Sequence, residues 1–248
     1  VQKFGIKIKK KNKGHYEVFG NGIKGYKYKK GISINAGNSG TLARLILGCL
    51  IDSPHKIKLM GDQSLSKRDF TRVLNPLKKI GLIFGKKKSL PLMIKGTSNP
   101  KPIRYHENQS SAQVKTCLML AAIKTNGRTI IIAKKSRTHS EILFKELKIP
   151  IKIKSTQKRD IIEILKTKKI SSFTYKLPGD ISSASFFIVL TLLTNNAKLT
   201  IKNVNINPTR TGIITILNKM GAKIRFRNKK IYKGELIANI EIKSIKNL

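Results

Sequence analysis

Two hundred and forty-eight residues, 40% of them hydrophobic, suffice for one large domain or two modest ones and exclude collagenous and disordered classes. Lysine and arginine number 52 against 12 aspartates and glutamates, a formal net charge of +40 that attracts phosphates, nucleic acid or any acidic small molecule without choosing among them. The basic residues are interleaved with apolar ones along the chain, so the charge belongs to a folded body and not to a tail.

The chain opens on Val1 instead of methionine. Lys3-Phe4-Gly5-Ile6 reads as a helix end running into a strand, with no secretory or transit pattern, so the expectation is a piece cut inside a fold. Ser39-Gly40-Thr41 is a small, polar start to an apolar helix, and Lys56 to Met60 reads as a strand. Phe70, Val73, Leu74, Leu77 and Ile80 recur at helical spacing and predict a core face, with the helix closing at Lys79-Ile80-Gly81-Leu82. Leu90 to Lys95 and Ile103 to Glu107 are expected to form a strand pair. Ser110-Ser111-Ala112 opens another helix, Arg128 to Ala133 is a strand, and Lys148-Ile149-Pro150-Ile151 marks the next helix end. Phe173 to Leu177 reads as a strand, and Pro178-Gly179 as a domain crossing. Ser182-Ser183-Ala184 starts a helix in which Phe186 and Phe187 are assigned to an apolar face, and Lys198 to Lys202 is a strand. Ile213, Ile216, Leu217 and Met220 are expected on the core face of a helix ending at Lys219-Met220-Gly221-Ala222.

The order of elements returns. The helix-end marker recurs after 76, 69 and 71 residues, at Gly5, Gly81, Pro150 and Gly221, and the small helix start at Ser39, Ser110 and Ser182 recurs after 71 and 72. The unit reads strand, helix, strand, helix, strand, strand: an α/β (α+β) fold of repeated βαβαββ units, too long in period for a common solenoid.

Small residues at each first helix leave backbone N–H groups free for an anion, and Arg44, Arg68 and Arg137 stand near helix starts with forks suited to carboxylate or phosphate. A site for a doubly anionic small molecule follows, although Ser39, Thr41, Ser110, Ser111 and Ser182 serve equally well as helix caps. Asp62 and Asp180 read as turn or cap residues and His139 as a polar surface residue; His15, His55 and His106 make no paired ligand spacing, so no metal is expected. Cys49 and Cys117 are too few and too far apart for a disulfide framework, which points to a reducing, cytoplasmic setting. The longest apolar stretch, around Ala184 to Leu193, is about ten residues, short of a membrane span.

Six motifs in order carry a resemblance: Gly37 to Arg44 (GNSGTLAR), Gly61 to Arg68 (GDQSLSKR), Ser111 to Lys115 (SAQVK), Ser136 to Glu141 (SRTHSE), Pro178 to Phe187 (PGDISSASFF) and Asn207 to Gly212 (NPTRTG). In these the chain resembles the 5-enolpyruvylshikimate-3-phosphate synthase family over nearly its whole length. The resemblance implies the enolpyruvyl transferase fold, with two domains of three βαβαββ units closing on substrates in a cleft. Residues 1–178 would then be most of one domain and residues 179–248 the beginning of the second, with both ends truncated. It also implies transfer of the enolpyruvyl group of phosphoenolpyruvate to the 5-hydroxyl of shikimate 3-phosphate, on the route to chorismate and the aromatic amino acids, by a cytoplasmic monomer without metal or organic cofactor, membrane or nucleic acid. On the matching positions, Gly40 lies against phosphoenolpyruvate, Arg68 pairs with it, and Thr41 and Arg44 line or brace that loop. Ser111 and Gln113 hold shikimate 3-phosphate, Arg137 meets its 3-phosphate, and Asp180 is a cleft acid.

Two departures qualify the carry-over. Asp69 stands where the family usually has proline, beside the cation that should meet an anion. The family's Lys-Ser start and its acid/base pair have no counterpart in this chain, so no catalytic residue is assigned and the polypeptide alone is expected to have no turnover. The competing readings are an RNA-binding or RNA 3′-phosphate-processing protein of related fold, and the enolpyruvyl transferase acting on UDP-N-acetylglucosamine, which does not ordinarily combine SAQVK with PGDISSA.

Overall fold

The computed structural model describes residues 1–23 and 25–245. After a single 3-10 turn at Gln2–Phe4, the strands β1 (Lys7–Asn12) and β2 (His15–Phe19) form an antiparallel hairpin. Then come β3 (Ser33–Asn35), α1 (Gly40–Cys49), β4 (Ile57–Met60), the short α2 (Gln63–Ser66), α3 (Thr71–Ile80), β5 (Ile83–Phe84) and β6 (Leu92–Lys95). A second series follows: β7 (Arg104–Glu107), α4 (Ala112–Ala122), β8 (Arg128–Lys134), α5 (His139–Glu146), β9 (Ile151–Ser155) and β10 (Arg159–Leu165). The last contains α6 (Ile181–Leu193), β11 (Lys198–Asn205), α7 (Gly212–Lys219), β12 (Arg225–Tyr232) and β13 (Glu235–Lys243).

The repeat seen in the sequence is a repeat of topology. The sheets run β3-β4-β6-β5 and β7-β8-β10-β9, each a parallel pair followed by an antiparallel hairpin. The third sheet, β11-β13-β12, has the same order, with its leading strand reduced to a parallel bridge between Gly179 and Val204. Two strand expectations are corrected by this arrangement. The segment Leu90 to Lys95 does not pair with Ile103 to Glu107: β6 joins β4 and β5, while β7 pairs with β8 and begins the next repeat. The stretch Phe173 to Leu177 is not a strand. Its residues are largely exposed, the Lys176 N–H donates to the Tyr232 hydroxyl instead of to a ladder, and Pro178 has no N–H to offer.

By contacts the chain forms two compact units, Val1–Ser136 with Lys148–Ser171, and Arg137–Leu147 with Ser172–Leu248. The division expected at 178 therefore differs at two places: residues 172–178 and the whole of α5 group with the second unit. Residues 246–248 of the expected second domain lie outside the described residues.

In the first unit α1 packs on α4 through Ala43, Leu47, Val114, Cys117, Leu118 and Ala121, none more than 2% exposed. The helices meet so closely at Gly48 that a Cβ there would stand 2.1 Å from the Cys117 carbonyl oxygen. In the second unit α6 lays Ile181, Ala184, Ile188 and Leu192 on β11 and β13, at the three- and four-residue spacing of one helical face. This helix is apolar nearly all round, and only one face can lie on a sheet. Contrary to expectation, Phe186 and Phe187 are therefore 78% and 59% exposed. On α7 the buried residues are Ile214 and Leu217, whereas Ile216 and Met220 face outward. Among the described residues no helix is long and apolar enough to cross a membrane.

Candidate functional site

The mouth of α1 is built by side-chain capping. Ser39 Oγ accepts from the Leu42 N–H at 3.1 Å, ending the extended approach of β3 and starting the helix at Gly40. Asp62 does the same for α2, accepting from the Leu65 N–H at 2.7 Å, and its other oxygen takes the Asn38 amide at 2.5 Å. These bonds hold the carboxyl of Asp62 below its usual range. The two loops are further joined by the Asp62 N–H donating to the Gly37 carbonyl.

Gly40 is needed for what approaches it. A Cβ there would lie 2.8 Å from Arg44 Nη1 and 3.2 Å from Arg68 Nη1, so two guanidinium groups converge over one bare backbone position. Arg44 is fixed on two sides: its Nη1 donates to Gln113 Oε1 at 3.0 Å, and its guanidinium lies 5.1 Å from the centre of the Phe70 ring. Gln113, in the first turn of α4, uses its amide nitrogen to donate to Thr41 Oγ1 at 2.9 Å. Burial, then repulsion from Arg68 and Arg72, pulls the Arg44 guanidinium below its ordinary value, while Asp69 opposes this. A small anion seated between Arg44 and Arg68 would relieve that repulsion.

The charge of Asp69 is felt at Arg44, but its hydrogen bonds go to Thr71. Its Oδ1 accepts from the Thr71 hydroxyl at 2.6 Å and from the Thr71 N–H at 3.1 Å, so the carboxylate is held by the first residue of α3. The Thr71 bond is the main reason that its carboxyl is held low. Ser111 caps α4 by accepting from the Val114 N–H at 3.3 Å, which leaves its hydroxyl hydrogen available as a donor. Glu107, 3% exposed, shapes the turn ahead of it by accepting from the Gln109 and Ser111 N–H groups.

Gly40, Thr41, Arg44, Arg68 and Gln113 are thus gathered in the first unit, with Ser111 at the head of the same helix as Gln113. Arg137 and Asp180 belong to the second unit. There Arg137 lines a hollow of about 380 Å³ with Ser182, Ser185, Thr209 and Arg210. Asp180 caps α6 through the Ser182 N–H at 3.2 Å and receives Arg210 Nη2 at 2.9 Å, so the third helix start is capped by Asp180 and not by Ser182. Burial would raise the Asp180 carboxyl, but the bonds from Ser182 and Arg210 bring it below the ordinary value. His139, expected at the surface, is bonded through Nδ1 to the buried carboxylate of Glu235 at 2.6 Å.

Sequence reasoning missed Phe70 as the platform under Arg44, and it gave Glu107, a strand end, and Arg210, inside the NPTRTG motif, no role of their own. Phe70 carried the periodicity of a core residue, which it also is. Only its place two residues after Arg68 hinted at more. Among the described residues no group of three or more histidine, cysteine, aspartate or glutamate side chains is arranged to hold a metal ion.

The family model for EPSP synthase (3-phosphoshikimate 1-carboxyvinyltransferase) matches residues 1–246. A 3-phosphoshikimate 1-carboxyvinyltransferase from Vesicomyosocius okutanii subsp. Calyptogena okutanii is 41% identical over 247 residues, covering 98% of this chain and 55% of that protein. The protein of the same name from Legionella pneumophila is 37% identical over 244 residues, covering 98% and 55%. The solved EPSP synthase of Acinetobacter baumannii superposes with a TM-score of 0.83 at 34% identity, over 98% of this chain and 54% of its own. The chain spans about half the length of the curated relatives it matches. Since the match runs through every repeat and leaves out only the last two residues, the chain belongs to the EPSP synthase family.

Proposed function

We propose that this chain serves the transfer of the enolpyruvyl group from phosphoenolpyruvate to the 5-hydroxyl of shikimate 3-phosphate, with release of phosphate, in the cytoplasm. The observation that carries the reading is the convergence of Arg44 and Arg68 on Gly40. Two forked cations over a position without a side chain suit a compact substrate that bears a phosphate and a carboxylate. Arg68, exposed at the rim, is the arm that pairs with phosphoenolpyruvate; Arg44, locked by Gln113 and Phe70, is the fixed wall. Thr41 and Gln113 form the edge of this site, and Ser111 and Gln113 are the residues we assign to shikimate 3-phosphate. Arg137 is read separately, as an arginine for the 3-phosphate. Asp180 remains a candidate cleft acid, though its carboxylate is occupied by the α6 cap and Arg210.

Enolpyruvyl transfer also needs an acid for the methylene carbon and a base for the hydroxyl. Asp62 is committed to the α2 cap and Asp69 to Thr71, so the described residues around Gly40 supply binding and charge neutralisation. The relatives favour neither the RNA-processing reading nor the UDP-N-acetylglucosamine reading. The test is a calorimetric titration of phosphoenolpyruvate into the chain and its Arg68→Ala and Arg44→Ala variants. Each loss of a charge-assisted pair should weaken binding about tenfold or more. Unchanged affinity in both variants would remove the basis of the proposal.

A further inference from the structure

The second unit contains a buried carboxylate to which the reading above gives no task. Glu235, at the start of β13, is 4% exposed, yet its oxygens accept from His139 Nδ1 at 2.6 Å, Asn205 Nδ2 at 3.0 Å and Asn207 Nδ2 at 3.3 Å. Burial alone would raise this carboxyl; the bonds from His139 and the two asparagines outweigh it and hold the group below the ordinary glutamate value. Because an ionised carboxylate can only accept, the hydrogen on His139 sits on Nδ1.

The network reaches further. Asn207, 2% exposed, donates with the same amide to Thr138 Oγ1 at 3.1 Å, while its own Oδ1 accepts from the Thr209 N–H and hydroxyl. Its N–H is taken by Asn205 Oδ1 at 2.9 Å. Thr138 and His139 are the N-cap and first residue of α5, and Thr138 makes no side-chain capping bond to its own helix. The start of α5 is therefore held sideways, by Glu235 of β13 and Asn207 of the loop after β11, which Asn205 of β11 ties together. Lys233, just before β13, reaches Glu146 at the other end of α5, at 3.4 Å.

The residue directly before this anchored turn is Arg137. A buried, charged cluster is a poor source of net stability, since removing charges from water costs about what their pairing returns. What such a cluster does supply is one orientation. We infer that Glu235, acting through His139 and Asn207, is a positioning residue for Arg137. By fixing the backbone at Thr138 and His139, it sets the point from which Arg137 joins the lining of the hollow it shares with Ser182, Thr209 and Arg210. This inference rests on the reading of Arg137 as a phosphate-binding arginine.

The experiment measures the affinity of the 248-residue chain for shikimate 3-phosphate and for inorganic phosphate. The set is the parent, Arg137→Ala, His139→Ala, His139→Asn and the double variant Arg137→Ala/His139→Ala, with thermal melts of each. Arg137→Ala should weaken shikimate 3-phosphate binding about tenfold, and His139→Ala about fivefold in the parent but less than twofold once Arg137 is gone. His139→Asn, whose amide can still donate at the δ position, should return to within about twofold of the parent. If Arg137→Ala binds as the parent does, the reading of Arg137 falls. If Arg137→Ala weakens binding but His139→Ala does not, or the two losses multiply, the positioning role is overturned while that reading stands. Should His139→Ala melt below the assay temperature, His139→Asn is compared with His139→Gln, which places its donor at the ε position. Equal affinities of those two would overturn the positioning role.

Discussion

At the scale of single residues, the candidate site around Gly40 leaves bare backbone where two guanidinium groups approach. A methyl group at residue 40 would press on the side-chain tips of Arg44 and Arg68 and lie in ordinary contact with Leu65, meeting no backbone, so Gly40→Ala should fold and melt close to the parent, at the cost of the contacts that hold Arg44. The arginines would have to withdraw, and the methyl would occupy the approach to the backbone. We expect phosphoenolpyruvate affinity to fall about tenfold with the melting temperature unchanged to within a few degrees, read by calorimetry and circular dichroism on the same samples. A variant that binds as well as the parent would show that the arginines do not meet at this point. The residue-level reading from sequence named Gly40, Arg44, Arg68 and Gln113 as candidates through motifs, because those residues lie in short runs of distinctive composition. It could not find the Phe70 ring beneath Arg44, or the bond between Gln113 and Arg44, since these join residues from separate elements.

Among elements, the βαβαββ order was legible because several helices carry punctuation visible in a few letters: a capping hydroxyl or carboxylate at the start of α1, α4 and α6, and a glycine at or just past the end of α3 and α7. Sheet order was not. Whether β6 pairs with β4 or with β7 depends on where the chain crosses over, and a strand of four residues carries no such instruction. The face of α6 was misjudged for a related reason, since an apolar helix without periodicity does not say which side meets the sheet. Close packing, by contrast, makes a sharp prediction at Gly48. Here the added Cβ would meet a backbone carbonyl, which cannot swing aside as an arginine can. Gly48→Ala should therefore force α1 from α4 and lower stability by about 1–3 kcal/mol, measured by urea unfolding. A change below about 0.5 kcal/mol would mean that the helices are not so closely apposed.

For the whole molecule, the net charge of +40 makes its few carboxylates unusually consequential. Asp160 in the first unit, 3% exposed and bonded to Lys135 and Ser155, and Glu235 in the second both have carboxyls below their ordinary values. Folded-state values below the unfolded ones mean that their contribution is fully present above about pH 4, where the unfolded groups ionise, and is lost as pH falls through the folded values. Each proton taken up also adds to a positive charge that is already self-repelling. Thermal melts from pH 7 to pH 3 should fall steeply below about pH 4, and Glu235→Gln should flatten part of that acid limb. An acid limb identical in the variant would exclude Glu235 from it. The outward side of α6 has a different physical consequence. Phe186, Phe187, Leu190 and Leu193 together present an oily stripe to water, each at least 59% exposed. An environment-sensitive dye such as anilinonaphthalene sulfonate should brighten on it at neutral pH, and Phe186→Ser/Leu190→Ser should quench that glow without melting the protein, so that colloidal behaviour is governed by this helix and not by the abundant lysines.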